Sequence, residues 1–341
     1  MTSNAVRMAG AGPDLNHRDP EYLDLVREVK AGLLAVYGQA ANQWRPYLLG
    51  GSGTLAVEAM ITSLVKDGPV LILENGYYSS RIREIFEIHK IPFKALTFGW
   101  LDPWDLGAVE AELQNGYEAI IGVHNETTTG RLNDVIALGA LSKRHSVRCL
   151  IDAMSSFGAD PLDFAGIDAV CASGNKCLHS IPGVGFVLVG SELAALMPKY
   201  PRRSYYMSLP MYEGDSPPLT PPVPALAALR QALREYPAGG VSERRKHYLE
   251  LANYLRRELI ARDFRCPIDI RDLSCTLSTF SLPSGLSYDR WFELNFEQGF
   301  VIYACKGDLR ERYFQVSNMG ELTLDDVHAW ITAVDQILPV R

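Results

Sequence analysis

The chain has 341 residues, of which 47% are hydrophobic and 21% are charged, as in a globular protein with a large core. Its formal net charge of −7 argues against a nucleic-acid partner, which usually leaves a basic surface. No apolar run reaches the length of a membrane span and no signal peptide is recognisable, so we expect a cytoplasmic protein. The six cysteines are scattered without a CxxC pair, which predicts reduced thiols and no metal site.

The first two thirds of the chain alternate between strands and helices. Residues 1–20, rich in Gly, Ala, Asn and Asp, are predicted to be a loop segment, and apolar residues then recur at helical spacing over 21–36. Apolar strands without polar alternation are typical of parallel strands covered on both faces. Together with the intervening helices they predict an α/β fold with a mostly parallel sheet of the seven-stranded type. The predicted strands are 45–49, 70–73, 93–96, 119–123, 148–151, 169–172 and 181–189.

The last third predicts a different organisation. Eight prolines between 198 and 224 forbid a long helix there. Two helices (225–236 and 242–261) are then expected, followed by short strands and helices of a smaller α+β unit. We therefore expect a loop segment at 1–20, a large domain at 21–238 and a small domain at 239–341. The short strands are 277–282, 300–303 and 313–317, and the helices between and after them are 287–298 and 323–337.

A glycine-rich turn at 50–54 opens the predicted helix that begins near Leu55. Free N–H groups and the positive end of the helix dipole make such a turn an anion site, suited to a phosphate. The same residues also fit a dinucleotide fingerprint, with Glu74 about 20 residues on as the ribose-binding acid. An NAD(P)-dependent oxidoreductase is therefore an alternative.

Aromatic residues follow the strand at 70–73. Tyr77 and Tyr78 lie at the end of this strand, before the helix expected at 79–90, and a ring in that place can stack on a flat cofactor. The alternative is a pair of half-buried surface tyrosines.

An acid and an amine follow two neighbouring strands. Asp152 ends the strand at 148–151, and Lys176 comes shortly after the strand at 169–172. Since ligands of parallel sheets bind at the carboxyl ends of the strands, we expect both side chains in one pocket. Pyridoxal phosphate needs this pair: a lysine forms a Schiff base with it, and an aspartate keeps its pyridine nitrogen protonated. The alternative is that the aspartate forms a structural salt bridge and the lysine is a surface residue at a turn.

In order and spacing, the motifs of the chain resemble those of the class V aminotransferases, a branch of the fold type I pyridoxal-phosphate enzymes. The likeness is greatest to the 2-aminoethylphosphonate–pyruvate and alanine–glyoxylate types and extends over roughly residues 16–335. The motifs that carry it lie at residues 51–59, 75–78, 124–130, 152–158, 173–177, 182–185 and 220–222.

The resemblance implies a role for each matching position. Lys176 would bind the cofactor and shuttle the proton, while Asp152 would pair with the ring nitrogen. Tyr78 would stack on the ring face, and Thr128 would bind the ring hydroxyl. Ser52, Gly53 and Thr54 would hold the phosphate, with Ser155 and Ser173 nearby. Thr220 would contact the partner subunit's cofactor. This last role implies a homodimer.

The sequence departs from the family at the position that binds the substrate's anion. The family has an arginine in a Phe-Arg-Ile-Gly phrase near the carboxyl terminus, whereas this chain has Gln315. An amide cannot form the bidentate, charge-assisted pair that a guanidinium forms. Either another arginine binds the anion, or the substrate is unlike the family's; the candidate arginines are Arg310, Arg312, Arg202 and Arg203.

The predicted activity is transfer of an amino group between a small-molecule amino substrate and a 2-oxo acid, by a specialised relative of the family that we expect to act in biosynthesis. Both usual substrates of a transaminase carry a carboxylate, which the family's arginine would bind. Because this arginine is missing, a second kind of reaction is an alternative. That alternative is a pyridoxal-phosphate-dependent lyase, decarboxylase or carbon–carbon bond-forming enzyme.

Overall fold

A computed structural model of the chain describes residues 2–338. Its strands coincide closely with the predicted apolar runs. They are β1 (Trp44–Gly51), β2 (Val70–Glu74), β3 (Phe93–Thr97), β4 (Ala119–Val123), β5 (Asn125–Glu126), β6 (Arg131–Leu132), β7 (Arg148–Asp152), β8 (Ala169–Ser173), β9 (Gly183–Gly190), β10 (Leu277–Ser281), β11 (Tyr303–Ala304) and β12 (Tyr313–Ser317).

The helices fill the intervals between the strands. They are α1 (Asn4–Gly10), α2 (Pro20–Ala35), α3 (Gly53–Leu64), α4 (Tyr77–Ile88), α5 (Leu106–Leu113), α6 (Val135–Arg144), α7 (Ser191–Leu196), α8 (Val223–Arg234), α9 (Gly240–Ile260), α10 (Tyr288–Glu297) and α11 (Leu324–Ile337). Within residues 2–338, none of these helices combines the length and the apolarity needed to span a membrane.

Seven strands form the main sheet, in the order β1-β9-β8-β7-β4-β2-β3. The five strands from β8 to β3 run parallel, whereas β9 and β1 are antiparallel to their neighbours. The mostly parallel α/β fold predicted from the sequence is confirmed. Strands β2, β4, β7 and β8 are fully or almost fully buried because helices cover both faces of the sheet.

Two apolar clusters cover the faces of this sheet, and a third belongs to the carboxyl-terminal part of the chain. In that part, β10, β12 and β11 form a three-stranded antiparallel sheet. Trp291 of α10, Phe280 of β10 and Phe314 of β12 are the completely buried aromatic residues of the third cluster. The strand predicted at 300–303 is much shorter, because pairing with β12 is confined to Tyr303 and Ala304.

The prediction of a loop over residues 1–20 is wrong in part. Residues Asn4–Gly10 form α1, whose first turn is capped by the Ser3 hydroxyl accepting the Val6 N–H at 3.1 Å. Val6 is fully buried with Ala228 and Ala232 of α8. A single buried valine in a short helix leaves no periodic pattern in the sequence, so this tertiary contact was not visible there.

Candidate active site

Asp152 and Lys176 follow neighbouring parallel strands. Asp152 is the last residue of β7 and pairs in register with Cys171 of β8. Strand β8 ends at Ser173, and Lys176 lies in the turn three residues later. Because the two strands run in the same direction, their carboxyl ends meet at one edge of the sheet. That edge is the candidate active site.

The acidity of Asp152 is governed by its burial, since its side chain is only 1% exposed. Removal from water raises the pKa of Asp152 to about 6, while a hydrogen bond from the Met154 N–H and the positive charges of Arg81 and Lys176 oppose this rise. The Met154 nitrogen lies 2.9 Å from Oδ1. The protonated pyridine nitrogen of a bound pyridoxal phosphate would favour the ionised form of the Asp152 carboxyl group.

The main-chain oxygen of Ser155 connects the aspartate and lysine segments. It accepts hydrogen bonds from the Cys177 thiol at 3.2 Å and from Nδ2 of Asn125 at 3.3 Å. Ser155 lies three residues after Asp152, and Cys177 directly follows Lys176. Burial raises the pKa of the Cys177 thiol, so this cysteine is a neutral donor that fixes the turn. The hydroxyl of Ser155 donates to the Asn125 oxygen at 3.2 Å.

The glycine-rich turn leads into the amino terminus of α3, a twelve-residue helix. Ser52 is its N-cap residue, and within the described part of the chain its hydroxyl caps no N–H of the helix. The Met154 side chain packs closely against Gly53, since an added Cβ would lie 2.1 Å from the Met154 sulfur. The first N–H groups of the helix have no partner within it. This amino terminus therefore suits a phosphate, with the hydroxyls of Ser52 and Thr54 beside it.

A buried carboxylate, Glu126, organises the amino terminus of α4. It accepts the N–H groups of Tyr78 at 3.3 Å and Ser79 at 3.0 Å. It also accepts the N–H of Thr128 at 3.1 Å and the hydroxyl of Thr128 at 2.5 Å. Burial raises the pKa of Glu126, and these hydrogen bonds oppose the rise. Gly76 is needed here because a Cβ would lie 2.4 Å from the Glu126 carboxyl carbon.

These hydrogen bonds fix the position of Tyr78 and engage the hydroxyl of Thr128. The Thr128 hydroxyl, besides donating to Glu126, accepts the Tyr77 N–H at 2.8 Å. Thr128 is completely buried, whereas Tyr78 is half-buried with its ring 5.5 Å from that of Tyr77. Thr128 therefore donates its only hydrogen within the loop in this structure, and its hydroxyl oxygen keeps one lone pair with which it could accept a hydrogen bond from a cofactor.

Arg81 is a site residue that the sequence analysis missed. Its guanidinium carbon lies 4.9 Å from the centroid of the Tyr78 ring, and its charge lowers the pKa of Asp152. The Nε atom of Arg81 is buried and lacks a hydrogen-bond partner within residues 2–338. The available signal was its spacing, because residues three apart on a helix share a face, which puts Arg81 on the side of Tyr78.

Gln315 lies on β12 and reaches the large domain. Its amide Nε2 donates to the main-chain oxygens of Thr127 at 2.6 Å and Thr128 at 3.0 Å. It is 6% exposed and also lies 3.4 Å from the Thr279 hydroxyl. The N–H groups of this amide are thus engaged by the loop that contains Glu126.

The four arginines considered as substitutes are engaged elsewhere. Arg310 pairs with Asp289 and stacks on Tyr288, and Arg312 lies over the Tyr313 ring. Arg202 lies 4.8 Å from the centroid of the Tyr205 ring.

Arg203 donates to the main-chain oxygens of Val65 at 2.6 Å and Lys66 at 2.7 Å, at the carboxyl-terminal end of α3. None of these contacts brings a guanidinium to Gln315.

The proline-rich segment lies against the start of the glycine-rich turn. An added Cβ on Gly50 would lie 2.9 Å from Pro222, and the hydroxyl of Tyr206 donates to the Gly50 oxygen at 3.2 Å. Thr220 is exposed in this segment, whereas Ser173 is 4% exposed at the end of β8.

Glu74, the ribose-binding acid of the nicotinamide alternative, is engaged by α4. It accepts the Ser80 hydroxyl and the Nε–H of Arg83, both at 2.8 Å. Both carboxylate oxygens of Glu74 are therefore engaged by side chains of α4, which leaves it less suited to the ribose role of the nicotinamide alternative.

Comparison with known proteins defines the class. The family model described as aminotransferase class-V matches residues 51–284, and the chain belongs to this family. The six main-sheet strands other than β1, the Asp152–Lys176 edge and the α3 amino terminus all lie within the matched range. The enzyme is therefore an aminotransferase-like protein that depends on pyridoxal phosphate.

Curated relatives extend the match over nearly the whole chain. A 2-aminoethylphosphonate–pyruvate transaminase of Klebsiella pneumoniae is 33% identical, covering 99% of this chain and 95% of its own length. One from Burkholderia lata is 31% identical, covering 98% and 94%. An alanine–glyoxylate aminotransferase from Nostoc sp. shares the fold with a TM-score of 0.92 at 23% identity, covering 99% of this chain and 92% of its own.

Proposed function

We propose that this chain transfers an amino group between a small amino-bearing substrate and a 2-oxo acid, as the names of its transaminase relatives describe for them. One observation carries the proposal: Asp152 ends β7 and Lys176 lies in the turn that follows the neighbouring parallel strand β8, so both lie at the same edge of the sheet. This is the pair of groups that binds the two ends of a pyridoxal ring.

The residues around this edge fit the cofactor. Ser52, Gly53 and Thr54 would hold the phosphate at the amino terminus of α3, with Ser173 and Ser155 nearby. Tyr78 would cover one face of the ring, and Asp152 would accept a hydrogen bond from the ring nitrogen. Thr128 would approach the ring hydroxyl from the loop that Glu126 fixes.

When bound, pyridoxal phosphate supplies an electron-accepting ring that stabilises negative charge at the substrate's α-carbon. Asp152, when ionised, holds a proton on the ring nitrogen, and Arg81 helps to keep this carboxylate ionised. Lys176 provides the amine that binds the cofactor and then accepts and returns the α-proton. The Ser155–Cys177 hydrogen bond keeps the turn of Lys176 against the segment of Asp152.

Gln315 supports a specialised substrate. Its N–H groups bind main-chain oxygens of the large domain, so it offers no cation to a substrate carboxylate or phosphonate. The substrate would be bound through groups other than a guanidinium at this position. We further propose that the enzyme acts in the cytoplasm and in a biosynthetic pathway; its cysteines are all free, as a reducing compartment requires.

The presence of Gln315 in place of an arginine also supports a second activity. If the enzyme has no cation that binds the carboxylates of both an amino acid and an oxo acid, the electron-accepting ring of bound pyridoxal phosphate would equally support elimination, decarboxylation or carbon–carbon bond formation. Such an enzyme would use Lys176 and Asp152 in the same roles.

We also propose a homodimer in which Thr220 reaches the phosphate of the partner subunit's cofactor. The exposure of Thr220 and of nearby Tyr205 and Tyr206 supports this. Asp215 and Glu213 hold the segment in place through ion pairs with Arg27 and Arg45.

The proposed division into domains at 21–238 and 239–341 is supported by the separate apolar cluster around the small sheet.

A single-turnover experiment tests the proposed activity. The purified enzyme loaded with cofactor is mixed with a panel of amino donors, and the absorption spectrum is followed without an oxo acid. Conversion of the cofactor to its amine form, reversed by a 2-oxo acid, supports a transaminase. Release of ammonia, carbon dioxide or a side chain without this conversion would establish the second activity instead.

A further inference from the structure

A buried polar cluster lies behind the turn of Lys176, and the proposed function makes no use of it. Three of its members are almost completely buried: His179 and Arg244 are each 7% exposed, and Tyr248 is 0% exposed. The fourth, Glu321, reaches in from the surface. His179 belongs to the lysine turn, Arg244 and Tyr248 to α9, and Glu321 to the segment after β12.

His179 is joined directly to Lys176. Its N–H donates to the Lys176 oxygen at 3.0 Å and closes the turn. The φ angle of His179 is +63°, in the left-handed region that residues with side chains rarely adopt. Such a conformation persists only where surrounding contacts fix it. The contacts of the imidazole ring are therefore part of what determines the shape of the lysine turn.

The partners of the ring define its hydrogen bonds. Nδ1 lies 3.2 Å from Oε1 of Glu321, and Nε2 is hydrogen-bonded to the Tyr248 hydroxyl. Because a carboxylate only accepts, Nδ1 carries the proton and Nε2 offers its lone pair to Tyr248. The Gly320 N–H donates to the Tyr248 oxygen at 3.3 Å. The hydrogen bonds thus run in one direction, from Gly320 through Tyr248 and His179 to Glu321.

Arg244 keeps this ring neutral. Its Nη1 lies 2.6 Å from Nε2 and 2.8 Å from Nδ1, so its positive charge lies against both ring nitrogens and opposes a second proton on the ring. Burial and the charge of Arg244 lower the pKa of His179 to about 3. The ring therefore does not change its charge near neutral pH, and the cluster is a fixed brace.

We propose that His179 is a positioning residue for Lys176, which holds the lysine turn against α9 and the segment after β12 so that the amine meets the incoming cofactor. This inference rests on the proposed function, because it requires Lys176 to bind pyridoxal phosphate. It adds that the position of the amine depends on the carboxyl-terminal part of the chain. Loss of the brace would slow the covalent capture of the cofactor, while the phosphate site at α3 would be unaffected.

The test compares His179→Leu with His179→Gln in cofactor-free protein. Stopped-flow absorption measures the rate at which each protein captures pyridoxal phosphate, and competition by inorganic phosphate measures the α3 site separately. We expect capture by His179→Leu to slow about tenfold with unchanged phosphate competition. His179→Gln, whose amide can accept from Tyr248 and donate to Glu321, should recover most of the rate.

Tyr248→Phe keeps the packing and removes only the hydroxyl, so it tests the same proposal if His179→Leu does not fold. It should show the same slow capture with an unchanged phosphate site. Capture at the wild-type rate by both Tyr248→Phe and His179→Leu would overturn the inference. A wild-type protein that captures no cofactor, or captures it at another lysine, would instead overturn the proposed function.

Discussion

Nε2 of Gln315 lies 2.6 Å from the main-chain oxygen of Thr127 and 3.0 Å from that of Thr128. This contact joins the small sheet to the loop that carries Glu126, which in turn fixes the amino terminus of α4 and Tyr78. The residue at the family's anion-binding position therefore braces the main chain.

Gln315→Arg tests whether the missing guanidinium sets the substrate range. An arginine at this position would form a charge-assisted pair with a carboxylate. We expect kcat/KM for simple amino-acid donors to rise about tenfold, which corresponds to the lower end of what such pairs contribute. Gln315→Met is the control, since it removes the N–H donors without adding charge and should not improve these donors. An unchanged kcat/KM for Gln315→Arg would show that another cation already binds the carboxylate.

Asp152 gives a pH dependence to the stability of the cofactor-free protein. Its pKa of about 6 in the fold exceeds the ordinary value of 3.8, so folding favours the protonated acid. That stabilisation is complete below about pH 4 and is lost as the pH rises through 6. Relative to Asp152→Asn, which does not titrate, the wild type should lose about 2–3 kcal/mol of unfolding free energy between pH 4 and 7.5.

Urea unfolding of both cofactor-free proteins across this range measures the effect. Bound cofactor should reduce the loss, because the protonated ring nitrogen favours the ionised carboxylate. Parallel pH profiles for the wild type and Asp152→Asn would mean that Asp152 is not held in a buried site.

Glu126→Gln is expected to weaken both stability and cofactor binding. The amide keeps the shape of the side chain but presents N–H groups to donors that need an acceptor, which costs about 2–3 kcal/mol of unfolding free energy. Since Tyr78 lies in the first turn of α4, which Glu126 holds in place, the affinity for pyridoxal phosphate should fall as well. Equilibrium dialysis and chemical denaturation measure the two quantities.

Glu118→Gln is the matched control for this substitution. Glu118 accepts the N–H groups of Lys66, Asp67 and Gly68 at 2.6, 2.9 and 2.7 Å, in a turn at the opposite end of β2. It should lower stability and leave cofactor affinity unchanged. If both variants bind the cofactor like the wild type, Glu126 has only a structural role.

Mixed dimers test the role of Thr220 across the subunit interface. Thr220→Glu places a negative charge where the phosphate of the partner subunit's cofactor is expected, and Lys176→Ala removes the amine. A purified dimer of one chain of each kind should retain about half the wild-type activity, because a two-fold dimer has two equal sites and one of them is intact. If Thr220 acts within its own chain, the mixed dimer is as inactive as Lys176→Ala. The Lys176→Ala homodimer sets the background.

The sequence was sufficient for the large features because they depend on local patterns. The buried strands are continuous apolar runs, and Asp152 and Lys176 follow two of them, so the parallel register brings them to one edge. Helix α1 was missed because its stability comes from Val6 packing on α8, a contact without a local signal. The function of Gln315 depends on two main-chain oxygens 187 and 188 positions away, which no residue pattern encodes.

Arg81 and His179 were missed for the same reason. Arg81 becomes a site residue because its charge reaches Asp152 across the sheet edge, and His179 because α9 meets the lysine turn. Side-chain partners distant in sequence decide such roles, whereas composition and spacing decide the fold.

The most direct test of the central claim is to locate the covalent bond to the cofactor. The wild-type protein is loaded with pyridoxal phosphate, reduced with borohydride, digested and analysed by peptide mass spectrometry, with Lys176→Arg as the control. The account predicts a reduced adduct on Lys176 in the wild type and its loss in Lys176→Arg. An adduct on a different lysine, or none in a protein that still turns over, would contradict it.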